Sequence, residues 1–164
     1  MFAPGESEAH SHSAWGLLAA IVEIVSGQSY GTFLRKWFFE PAGMNRTGFY
    51  GEDPRFGNAD YAVGYGESTI APRNSPNHWG PTSWLVMGSG GMVSTPADLH
   101  RWVRGIRGGL LSAESQKRFW TGSVLAGASD RGFFCVFLSS NSFRDDEGPT
   151  GKIAKALARL VLED

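Results

Sequence analysis

The sequence has one cysteine, no excess of either charge and no long apolar run. Cys135 alone forms no intrachain disulfide and no cysteine-rich metal site. It lies inside the apolar run Phe133 to Leu138, which fits a buried structural thiol better than a nucleophile. Fifteen basic residues against sixteen acidic ones leave a net charge of -1, so no field draws in nucleic acid and no basic helix addresses a membrane surface. No apolar stretch approaches the ~18 residues of a membrane span. Met1 runs straight into F-A-P-G-E, without the basic and apolar segments of a leader peptide. There is no internal repeat, no low-complexity tract and no linker-like stretch. Two nucleophile motifs are also missing. No Ser-x-x-Lys occurs, because Ser115-Gln116-Lys117-Arg118 puts the lysine one place early. Arg118, at the right place, stays protonated and cannot serve as a base. Gly88-Ser89-Gly90 lacks the flanking glycines, in register, of a Gly-x-Ser-x-Gly elbow.

What is present reads as one folded domain. The 164 residues suffice for a core, and the 22 glycines point to many tight turns or to backbone that approaches a ligand closely. Helical spacing of Trp15, Leu18, Val22 and Val25 predicts a helix over Ala14 to Val25, stopped by Gly27. A second helix is expected from Tyr30 to Phe39, capped by Ser29 and ended by Pro41, with Tyr30, Phe33, Leu34, Trp37 and Phe38 on its apolar face. Trp15, Trp37 and Trp102 fall on helix faces and read as core. Gly48 to Gly91 reads as a long ordered excursion with short strands such as Tyr61 to Tyr65; a loop of that length usually borders a site.

Thr95-Pro96-Ala97-Asp98 is a helix start: Thr95 caps, Pro96 suits the first turn, and Asp98 fits a capping box and the helix dipole. That helix runs through Leu99, Trp102, Val103 and Ile106 to Gly108-Gly109. Ser112 caps a short helix reaching about Phe119, Phe133 to Leu138 is a buried strand, and Ile153 to Leu162 is an amphipathic helix. Helices outnumber strands, so the class is mixed α and β with a small sheet. Gly148-Pro149-Thr150-Gly151-Lys152 has a misplaced first glycine and no Ser or Thr after the lysine, so it reads as a loop rather than a phosphate cradle.

Several of these segments also follow one another as a set. Pro4-Gly5 leads to the helix ending V-S-G-Q and then to P-A-G-M-N-R-T at Pro41 to Thr47. Y-A-V-G-Y follows at Tyr61, then G-S-G-G-M-V-S-T-P-A-D-L-H-R-W from Gly88 and G-G-L-L-S from Gly108. Phe133 to Asn141 ends in a strand-closing Ser-Asn. In this order the chain resembles the serine β-lactamase-like hydrolases: class C β-lactamases, D,D-peptidases and esterases. The resemblance implies a partial β-lactamase/transpeptidase-like α/β (α+β) fold, with a small antiparallel sheet packed with helices. It further implies a single domain over residues 1–164, truncated at its N-terminus and shortened near 119–133, whose exposed sheet edges could pair with a second copy.

The resemblance also implies where chemistry would sit. Where the family has Tyr-x-Asn, this chain has His10-Ser11-His12. His10 then takes the place of the general base, His12 that of the asparagine, and Ser11 lies between them at the substrate. Trp120-Thr121-Gly122 stands where the family has a basic residue or histidine, any residue and glycine on the sheet-edge strand that lines the pocket. The substrate would be a small amide or ester, split through an acyl-enzyme. Each of these placements has a plainer alternative, two solvated histidines in a polar turn and an ordinary loop. His10-x-His12 with Glu6 or Glu8 has a metal-ligand look, but His78 and His100 lack the spacing to complete a site, so no metal and no cofactor are expected.

Overall fold

The computed structural model describes residues 2–7, 9–51, 61–63, 65–66, 80–122 and 141–142. Cys135, the strand expected over Phe133 to Leu138, the loop from Gly148 and the helix expected over Ile153 to Leu162 lie outside the described residues.

Five α-helices and four two-residue strands make up the described part. Helix α1, His12–Ser26, starts two residues before its expected position because Ser11 caps it: the Ser11 hydroxyl accepts from the Ala14 amide at 3.2 Å. Gly27 ends α1 in the left-handed conformation (φ 66°), donating its amide to the Glu23 carbonyl. Helix α2, Tyr30–Leu34, is capped by Ser29 as expected and continues as a wide π-type turn over Arg35–Phe39. That turn accommodates one extra residue and rotates the face that follows. The buried residue is therefore Phe39, which the helical spacing leaves off the apolar face, whereas Trp37 is 53% exposed.

The excursion from Gly48 closes on itself. Strand β1, Gly48–Phe49, pairs antiparallel with β3, Met92–Val93, just beyond its far end. Between them, residues 61–63 are not strand; β2 is only Tyr65–Gly66, and it pairs parallel with β4, Asn141–Ser142. The described strands thus form two separate two-stranded sheets: the small antiparallel one that was expected, β1 with β3, and a parallel pair, β2 with β4. Helix α3, Trp84–Met87, occupies a stretch that read as loop.

Helix α4, Pro96–Gly105, is capped by Thr95, whose hydroxyl accepts from the Asp98 amide at 3.2 Å. It runs into a wide turn over Ile106–Leu110, broken at Gly109 (φ 96°). Helix α5, Ala113–Gly122, follows, with Ser112 accepting from the Ser115 amide. Ile106 and Val103 are buried and, with Ala19, Phe39, Met44 and Phe49 of β1, make up the apolar core of the described residues. A ladder of rings, Phe33, Phe38, Trp102 and Phe119, ties α2 and its wide turn through α4 to α5 with centroid spacings of 6.1 Å at each step.

Helix α1 packs through a side turned by roughly a quarter of a turn from the one its periodicity indicates, which leaves Val22 of that set half-buried. Its buried residues are Gly16 and Ala19, while Trp15, Leu18 and Val25 are exposed. The reason is steric. Gly88, at the end of α3, lies against the Trp15 carbonyl, where a Cβ would overlap the α1 backbone, and a Cβ on Gly16 would sit 3.5 Å from the Leu85 carbonyl oxygen. Small residues let the two backbones meet, and the large side chains point outward. Trp15 is accordingly 49% exposed and is not core; Trp102 is half-buried as expected. Among the described residues no single helix is long and apolar enough to cross a membrane; α1 and the following helix reach the required length only together, bent by 75° at their junction.

Candidate functional site

His10, Ser11 and His12 form the entry to α1. The extended backbone at Ser11 (φ -146°, ψ 115°) points its hydroxyl back at the first helical turn. Ser11 is therefore engaged as a cap, its oxygen accepting the Ala14 amide. The imidazoles of His10 and His12 meet edge to face with centroids 4.9 Å apart. Both are exposed. Among the described residues no three His, Cys, Asp or Glu side chains gather into a metal-sized group.

Trp120, Thr121 and Gly122 form the last turn of α5. Their backbone is helical where a pocket-edge strand was expected. This end of α5 is held to α4 by the edge-on contact of Phe119 with Trp102. A cavity of about 170 Å³ lies elsewhere, between α2 and β1, lined by Ser29, Thr32, Arg35, Phe39 and Phe49; none of the candidate residues lines it.

The polar groups that the fold buries most deeply lie in another cluster. Asp98 has no solvent exposure. Its Oδ2 accepts from the Arg46 amide at 2.6 Å and from the Thr47 hydroxyl at 2.9 Å. Its Oδ1 accepts from Arg101 Nη1 at 2.7 Å. With its proton given to Asp98, Thr47 takes a hydrogen bond from Ser94 at 2.7 Å. The capping-box reading of Asp98 is thereby corrected: Thr95 caps the helix, but the Asp98 carboxylate faces the segment leading into β1 and joins it to α4. Two further links have the same character. Thr82 donates to the Tyr50 carbonyl at 2.6 Å, closing the base of the excursion. Glu23 accepts from the Tyr30 amide at 2.7 Å and from the Trp84 indole at 3.1 Å, joining α1 to α2 and α3. Tyr30 sits beside Phe49, and burial raises its hydroxyl pKa above 10.0. Sequence reasoning missed Glu23 and the partners of Asp98. The signal for Asp98 was the T-P-A-D capping pattern, which names the residue but not a partner 52 positions away.

Comparison with known proteins fits this scaffold. Residues 1–134 match the family model described as Beta-lactamase. The chain is 33% identical over 112 residues to penicillin-binding protein 4* of Bacillus subtilis (strain 168), covering 62% of this chain and 24% of that protein. It is 29% identical over 117 residues to the putative penicillin-binding protein PbpX of the same organism, covering 68% and 28%. Among solved structures, D-amino acid amidase from Ochrobactrum anthropi SV3 complexed with D-phenylalanine superposes with a TM-score of 0.54 at 21% identity, over 69% of this chain and 34% of that one. The complex of that amidase with L-phenylalanine amide gives the same TM-score at 24% identity. The chain thus spans about a quarter of the length of the curated relatives and about a third of the amidase chain.

Proposed function

Because the chain belongs to the Beta-lactamase family, matched over residues 1–134, we propose that it supplies the scaffold portion of a serine acyl-transfer hydrolase without its nucleophile. By itself it turns over no amide or ester. The observation that carries this reading is the contrast between an ordered set of scaffold motifs and the absence of any Ser-x-x-Lys in the 164 residues. In that motif the lysine helps to deprotonate the serine, whose oxygen attacks the carbonyl and holds the acyl group until water releases it. A base without that serine has no acyl acceptor to activate. The substrate class on this reading is a small amide or ester of β-lactam, D,D-peptide or simple ester type. The similarity to two penicillin-binding proteins supports that class.

Within this reading His10 is the general base, which takes the serine proton once a nucleophile is supplied. His12 is a polar substrate contact, and Ser11 holds both imidazoles at the mouth of α1 by capping it. Trp120, Thr121 and Gly122 stand at the pocket edge. A second reading is a non-catalytic binding or association module on the same scaffold, and the apolar surface of α1 left exposed favours it.

The test is direct. The purified chain is assayed with nitrocefin and with a p-nitrophenyl ester, then incubated with a serine-trapping phosphonate and examined by mass spectrometry. No turnover and no adduct are expected. An adduct on any serine overturns the absent nucleophile. When a polypeptide carrying Ser-x-x-Lys is added, turnover that His10→Ala removes supports the base role; turnover indifferent to His10→Ala refutes it.

A further inference from the structure

We draw no further inference here: the strongest candidate, the cavity of about 170 Å³ between α2 and β1 lined by Ser29, Thr32, Arg35, Phe39 and Phe49, carries nothing, because its two hydroxyls bond to each other at 2.8 Å and nothing in the structure shows what occupies it.

Discussion

Removing the Asp98 carboxylate should cost the fold more than any other single polar change among the described residues. In Asp98→Ala, the Arg46 amide and the Thr47 hydroxyl lose an acceptor at 2.6 and 2.9 Å in a site closed to water. Each buried donor left without a partner costs about 1–3 kcal/mol. The Arg101 contact adds little, since its side chain is 49% exposed and can turn to solvent, as surface ion pairs worth ~0–1 kcal/mol do. The sum is about 3–5 kcal/mol, a large share of the ~5–15 kcal/mol that holds a domain together. Asp98→Asn separates the contributions. Its amide oxygen can occupy the place of Oδ2 and keep both buried donors satisfied, while the amide nitrogen faces only Arg101, so the expected cost is about 1 kcal/mol. Urea unfolding followed by tryptophan fluorescence measures both. With a slope of ~2 kcal/mol per M, the Ala midpoint falls by roughly 2 M and the Asn midpoint by well under 1 M. If Asp98→Ala lies within ~0.5 kcal/mol of the wild type, the carboxylate does not join the β1 approach to α4. If Asn costs as much as Ala, the ion pair rather than the buried donors carries the energy, and the reasoning fails there.

Two further perturbations probe other parts of the scaffold. Gly88→Ala should destabilise by about 2–3 kcal/mol, because the new methyl group overlaps the α1 backbone at Trp15 and nothing flexible can give way. A thermal melt should show a drop of roughly 5–10 °C; Gly108→Ala, with open space around it, should stay near the wild type, and equal melts for both would contradict the backbone contact. Tyr30 gives a pH dependence. Its folded pKa is raised above 10.0 by burial, so above that pH the unfolded chain has released a proton that the folded chain still holds. Stability is therefore full below pH 10.0 and falls as pH rises through the raised folded value. Tyr30→Phe should remove that alkaline component of urea stability, and an unchanged profile would show that Tyr30 does not contribute it.

The parts of this fold legible in the sequence are those set by neighbouring residues. Ser29, Thr95 and Ser112 cap helices because a hydroxyl three positions before an amide can reach it, and Gly27 ends α1 because only glycine takes the left-handed turn without strain. What escaped depends on contacts across the chain. The wide turn at Arg35–Phe39 shifts the buried face by one residue, and no local pattern marks it. The two-residue strands are too short for alternation to register. For the candidate site, His10 and His12 were placed next to each other by adjacency alone, whereas the backbone at Trp120 to Gly122 follows the helix before it rather than the strand that the resemblance implied.

Helix α1 shows why a family can be legible where its chemistry is not. Two sets of residues divide this helix. Gly16, Ala19 and Glu23 make the local contacts: close backbone approach to α3 and hydrogen bonds to Tyr30 and Trp84. Those contacts hold within the described residues, and the position of the V-S-G-Q stop follows from them. Leu17, Leu18, Ile21, Ile24 and Val25 make no core here. The spacing of Leu18 and Val25 reads as a core face because apolar spacing records only that a surface must be covered, not by what. Substitutions in the first set should therefore change the stability of the described fold more than substitutions in the second. His10 precedes this helix and His12 opens it, and neither depends on either set beyond the Ser11 cap. The entry to α1 can thus keep its shape whichever side chains stand at positions 10 and 12, since neither bears on the packing that holds the helix in place.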